Sequence, residues 1–369
     1  MSDSAPPHKR VGWAELFFDL VFVFAVTEVS TLLREDHRPG GLAGAIIVFV
    51  PVYWVWVGTS VQANTADITP PRRQITLFVI ALAGLVMALG VPEAYRGRAL
   101  EFAGAYWAAR LVLGSGLLTG TRPTLGVFTV GMVVSGPLLV AGAVVHGPGQ
   151  QGLWALAAVV DLATPWVLRS RLRDLRMDAA HLAERFGLFV LIAVGESVVS
   201  VGATIVGTQA LDLPALAVVV AAFAVCCGLW WVYFQYAADA VRHALATAKI
   251  QTDITREVLS YGHLLFIAAI IAVAAGLRET VAHPLGRPGW DVTALLFGGA
   301  ALYLATFGYT RWRMFRQLST TRLSSAAVVL LLLPAAAEMP ALAGLLLLAA
   351  TLAVLNIIEH RRIHRTASH

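Results

Sequence analysis

The chain has 369 residues, of which 58% are hydrophobic and 13% charged, against roughly 45–50% apolar and about 25% charged in a soluble globular domain. A mean hydropathy of +0.74 excludes a water-soluble enzyme. The formal charge of +5 would point to nucleic acid in a soluble chain, but here the arginines stand between apolar runs rather than on one patch, so they read as topology signals and no nucleic-acid partner is expected.

Runs of roughly 18–22 apolar residues, long enough to cross about 30 Å of hydrocarbon, recur along the chain. They predict helices near 15–33, 42–63, 73–91, 99–118, 124–145, 152–169, 186–206, 213–236, 258–278, 292–311, 323–338 and 341–358. This describes an all-α polytopic transmembrane bundle of about twelve spans, whose surroundings are the lipid bilayer. The first run carries Glu15, Asp19 and Glu28, which is unlike the apolar core of a cleaved signal, so it is expected to stay in the protein. Between the sixth and seventh runs, Leu172, Leu175, Ala179 and Leu182 recur at near-helical spacing among arginines and aspartates; residues 171–185 are read as an amphipathic linker along the cytoplasmic interface. Residues 241–257 follow a similar, less segregated pattern. Around Glu338-Met339-Pro340 the pattern is open between two short spans and one re-entrant element.

When alternate connections are assigned to opposite sides, twenty of the 27 Lys and Arg residues fall on one side, including Lys9, Arg10, Arg72, Arg73, Arg185, Arg256, Arg322 and Arg361. Six fall on the other: Arg34, Arg38, Arg96, Arg98, Arg278 and Arg287. The positive-inside rule then places both termini in the cytoplasm. Arg110 alone lies deep within a span.

The chain also echoes itself. Glu15-Leu16-Phe17 leads through Leu20 to Glu28, and Glu184-Arg185-Phe186 leads through Leu188 to Glu196. Trp-rich patches follow at Tyr53-Trp54-Val55-Trp56 and at Leu229-Trp230-Trp231-Val232-Tyr233, and Pro137 and Pro334 occupy matching later spans. Two like-oriented six-helix halves, 1–170 and 186–369, are expected, the parallel-repeat plan of several transporters.

Ionisable side chains within spans are costly unless they face a cavity or a partner, which makes them functional candidates. They are Glu15, Asp19, Glu28, Arg110, Asp161, Glu184, Glu196 and His263. Glu28 and Glu196 are the expected ion- or proton-handling pair, with structural glue as the alternative. Arg110 is the expected counter-ion of Glu28 or Asp19. Cys226 and Cys227 are adjacent in an apolar run and no Cys/His spacing resembles a zinc site, so no metal or cofactor is expected.

The stretch Glu15-Leu16-Phe17-Phe18-Asp19-Leu20-Val21-Phe22-Val23-Phe24-Ala25 resembles the bacterial low-temperature-requirement A (LtrA) family. So does His181-Leu182-Ala183-Glu184-Arg185-Phe186-Gly187-Leu188-Phe189-Val190-Leu191-Ile192-Ala193-Val194-Gly195-Glu196-Ser197. The resemblance covers about residues 10–360 and implies a multi-pass bacterial inner-membrane protein, with Glu15, Asp19, Glu184 and Glu196 at characteristic positions and no catalytic residues to carry over. A secondary transporter or ion/proton pathway, and not an enzyme, is the expected function. The alternatives are a membrane scaffold or sensor linked to growth in the cold, and an intramembrane lipid-modifying enzyme. The latter lacks any His-Glu-x-x-His or Gly-x-Ser-x-Gly motif.

Overall fold

The computed structural model describes residues 10–120, 126–173, 175–208, 212–235 and 237–367. Among them there is no strand, and each predicted run is helical. The helices are α1 (Trp13–Glu35), α2 (Pro39–Thr65), α3 (Pro71–Gly90), α4 (Ala99–Gly114), α5 (Val127–Val145), α6 (Gly147–Val167), α7 (Ala179–Thr208), α8 (Leu213–Phe234), α9 (Ala237–Thr247), α10 (Gln251–Ala282), α11 (Trp290–Phe315), α12 (Thr320–Glu338) and α13 (Ala341–Ala367). Among the described residues, ten helices are long and apolar enough to cross a membrane. Helix α4 falls short because it ends after 16 residues. Helix α6 carries Gln150, Gln151 and Asp161. Apolar side chains turn outward in quantity, as at Leu82, Phe223 and Leu331, where only lipid could receive them without penalty. Residues around Met339 separate α12 from α13, so that region holds two helices.

The described chain divides into two compact units that interleave in sequence. One gathers the residues up to Val29 with Ala43–Phe189 and Val241–Ser260; the other gathers Ser30–Leu42, Val190–Ala240 and the chain from Tyr261. The boundaries therefore fall inside helices: α1, α2, α7, α9 and α10.

The segment read as a linker over 171–185 is built differently. A single turn, Arg169–Leu172, follows α6, while residues from Ala179 onward already belong to α7. His181, Leu182 and Arg185 are fully buried there. Periodicity treats Arg and His as wet residues; paired side chains can take the same positions into the interior.

Two helices depart from the i→i−4 ladder. Gly131–Ser135 within α5 and Thr255–Gly262 within α10 are π-helical, a geometry that is rare and concentrated at functional places. In the second stretch the Ser260 hydroxyl donates to the Thr255 carbonyl five residues back at 3.1 Å, and the Tyr53 hydroxyl reaches the Leu259 and Ser260 carbonyls. Pro165 inside α6 cannot donate to the carbonyl of Asp161 one turn earlier. Between α3 and α4, Tyr95 donates to the Gly44 carbonyl at 2.8 Å, and burial pushes its phenol well above the ordinary value. It therefore remains a donor at physiological pH.

Packing within the second unit depends on close backbone approach, as helix association in lipid generally does. A Cβ on Gly299 of α11 would stand 2.9 Å from the Ala269 carbonyl oxygen of α10, and one on Gly276 would stand 2.9 Å from Leu296. A Cβ on the adjacent Gly298 would meet nothing. Gly299→Ala is expected to destabilise the protein by about 1–3 kcal/mol through overpacking against backbone that cannot yield. Gly298→Ala should leave thermal unfolding in detergent unchanged, and equal midpoints for the two variants would contradict this packing.

A buried charge network as candidate functional site

Glu15 and Asp19 are four residues apart on α1, and His181 and Arg185 are four apart on α7. Each pair therefore occupies one helix face. The two faces meet. Arg185 donates from Nη1 to Glu15 Oε1 at 2.9 Å and from Nη2 to Asp19 Oδ1 at 3.2 Å. His181 Nε2 lies 3.1 Å from Glu15 Oε2, which also accepts from the Gly12 backbone N–H at 2.9 Å. The Trp56 indole N–H of α2 donates to Asp19 Oδ1 at 2.8 Å. All four ionisable residues are at most 1% exposed.

The imidazole tautomer follows from its surroundings. Asn64 Oδ1 accepts from the Asp178 N–H at 3.0 Å, and Asn64 Nδ2 donates to the Asp178 carbonyl at 2.9 Å, which orients the amide. The same Nδ2 lies 3.0 Å from His181 Nδ1, so Nδ1 must be the acceptor and the proton sits on Nε2, facing Glu15. In this tautomer, with both carboxylates ionised, the network would hold two negative charges against one guanidinium. Asp19 Oδ2 and Arg185 Nε are buried without a hydrogen-bond partner.

The two ends of the network have different surroundings. On the Glu15 side an open vestibule of about 1320 Å³, mouth included, is lined by Arg10, Trp13, Glu15, Asn64, Asp67 and Asp178. Behind Asp19 stands an aromatic layer: Trp56 stacks on Phe189 at 4.0 Å between ring centres and meets Phe186 edge-on, and the Arg185 guanidinium lies over Phe18.

A second cluster lies in the same unit. Asp161 accepts from the Tyr106 hydroxyl, from Ser135 Oγ at 2.8 Å and from Arg110 Nη2 at 3.1 Å. Ser135 is the last residue of the π-helical stretch in α5, and Gly131 opens that stretch against the Arg110 guanidinium, where any Cβ would collide. Arg110 thus pairs with Asp161 and not with Glu28 or Asp19, which corrects the sequence expectation: Asp19 already has Arg185. Nor is Arg110 the sole interior base. Arg185, Arg256 and Arg322, counted above as topology signals, are buried in ion pairs.

The remaining candidates are scattered. Glu184 is exposed, one position off the face that carries Arg185. Glu28 and Glu196 are half-buried and belong to different compact units. In the second unit, Arg278 donates to Thr31 Oγ1 at 2.8 Å and to Ser200 Oγ at 2.6 Å, and Ser200 reaches Glu196 at 3.4 Å. His263 is buried with Nε2 2.6 Å from the Tyr233 hydroxyl. Sequence reasoning passed over His181, Arg185, Trp56 and Asn64 as site residues. The signal that could have found the first two is the spacing of four shared by Glu15/Asp19 and His181/Arg185, with opposite chemistry.

A helical protein with lipid-facing apolar surfaces and ion pairs sealed in its interior is a multi-pass membrane protein. The chain matches the family described as bacterial low temperature requirement A protein (LtrA) over residues 10–357, and it belongs to that family. It is 32% identical over 315 residues to an uncharacterized protein, RA0937, of Rhizobium meliloti (strain 1021), a match covering 80% of this chain and 76% of that one. No solved structure matches it.

Two outcomes test this network. Arg185→Met leaves two buried carboxylates uncompensated and is expected to cost about 3–5 kcal/mol, while Glu184→Gln next to it should leave denaturation unchanged. By ¹⁵N NMR, the His181 ring should report a protonated Nε2 and a bare Nδ1, and Asn64→Asp should place a proton on Nδ1. A His181 signal unaffected by Asn64→Asp would contradict the assigned tautomer.

Proposed function

We propose that the chain is a secondary transporter or ion/proton pathway in the bacterial plasma membrane, with both termini cytoplasmic, and that it moves a proton or small solute without covalent chemistry. The observation that carries this reading is the sharing of the single Arg185 guanidinium between two buried carboxylates, Glu15 and Asp19, together with the unpartnered Asp19 oxygen. Charge is expensive inside a membrane protein and is retained where it is used. A proton arriving from the vestibule meets Glu15 and His181 first. Taken up at Asp19 Oδ2, it neutralises the network and weakens the hold of Arg185 on Asp19.

Loosening that bond frees the contact between α1 and α7 beside the aromatic layer at Trp56, which is how a proton could be coupled to opening. Glu28 lies thirteen residues beyond Glu15 on α1, about 19 Å along the axis. In this reading Glu28 and Glu196 are the stations nearer the outer surface. The echoed sequence of the two halves supports alternating access as the means.

In proteoliposomes holding a pH-sensitive dye, Asp19→Asn is expected to slow gradient-driven proton flux at least about tenfold, a barrier change near 1.4 kcal/mol. Glu28→Gln with Glu196→Gln should slow it as well. Wild-type flux in both folded variants would remove the proton pathway.

A further inference from the structure

A second cavity lies in the first unit, and no residue of the Glu15 network lines it. It encloses about 60 Å³, or about 560 Å³ with its open mouth included, and its walls are largely apolar: Trp54, Gly58 and Val61 of α2, Phe128 of α5, Leu172 and Met177. Into this apolar setting α4 brings Arg110, and the start of α10 brings Thr252 and Arg256.

These polar groups are buried and only partly used. Arg256 gives Nη2 to Asp253 at 2.8 Å and to Glu257 at 3.2 Å, and its guanidinium lies 4.2 Å over the Trp166 ring. Its Nε has no hydrogen-bond partner, and neither has Thr252 Oγ1. The two residues are 5% and 3% exposed. Arg110 gives Nη2 to Asp161, while its Nη1 lies beside Gly58, 3.6 Å from where a Cβ would stand. The carboxylates Asp253, Glu257 and Asp161 engage only the Nη2 nitrogen of each guanidinium.

Buried donors without acceptors are costly and rare in native proteins. Guanidinium donors form their strongest hydrogen bonds to anionic oxygens. An apolar pocket with a few convergent polar groups is the usual form of a small-molecule site. We propose that this cavity binds an amphiphile with an acidic head, a carboxylate or phosphate on an apolar tail, whose oxygens accept from Arg256, Thr252 and Arg110 while the tail lies along Trp54 and Phe128. This site is independent of the proton pathway proposed above.

The test is native mass spectrometry of the purified full chain titrated separately with stearic acid, stearyl phosphate and stearyl alcohol. At least one acidic amphiphile should form a saturable one-to-one adduct while the alcohol does not; preference for stearic acid identifies a free fatty acid, and preference for the phosphate identifies a phosphate-headed lipid. Thr252→Val and Arg256→Gln should each weaken binding about tenfold, the scale of one hydrogen bond to a charged group. Gly58→Ala adds a methyl in ordinary contact, 3.5 Å from Leu113 and 3.6 Å from Arg110, so it folds and narrows the cavity beside the head group, and it too should weaken the adduct. If Arg256→Gln fails to fold, Thr252→Val and Gly58→Ala carry the test. Equal binding of alcohol and acid, or unchanged affinity in those two variants, would overturn the site.

Discussion

One guanidinium holds two helices in register. Arg185 reaches Glu15 with one nitrogen and Asp19 with another, and it can do both because the carboxylates are one helical turn apart on α1. A lone carboxylate buried at that depth would cost several kcal/mol or take up a proton. Sharing one cation between two carboxylates, with His181 and Trp56 supplying further donors, makes the charges tolerable without quite balancing them. Sliding α1 against α7 by a single residue would break the bonds of Arg185 and His181 to Glu15 and Asp19 at once.

The departures from regular helix lie beside the same chemistry. In α5 the π-helical turn ends at Ser135, whose hydroxyl reaches Asp161, and begins at Gly131, whose missing side chain makes room for Arg110. In α10 the π-helical stretch starts one residue before Arg256 and ends one before His263. An extra residue per turn shifts which side chains face inward, and carbonyls released from the ladder are met by side-chain donors such as Tyr53. These adjustments give polar groups positions that a straight helix could not supply, and the surrounding protein, not lipid, satisfies the backbone they disturb.

The membrane class was legible because it rests on composition and run length alone, and each apolar run became a helix. The candidate site was legible by halves. Glu15, Asp19, Arg110 and Asp161 stood out as charges in apolar surroundings, but which partner each takes did not. Arg185 reads as a topology arginine at the edge of an apolar run, and it lies inside because two carboxylates from another helix wait there. Glu184, one residue earlier and equally prominent in the repeated pattern, faces outward; a shift of one position is about 100° around a helix, more than enough to exchange the interior for the surface.

Hydropathy is a sum over neighbours in the chain, so the amino-acid sequence by itself determined that these segments are helices suited to lipid, and its motifs determined the family. Pairing between charges is a relation between helices distant in sequence. Asp161 with Arg110, Arg185 with Glu15 and Asp19, and His181 oriented by Asn64 depend on which faces meet and at what height. Only the tertiary structure decided those, because a buried charge is stabilised by whatever lies within about 3 Å of it, and chain order carries no such distance.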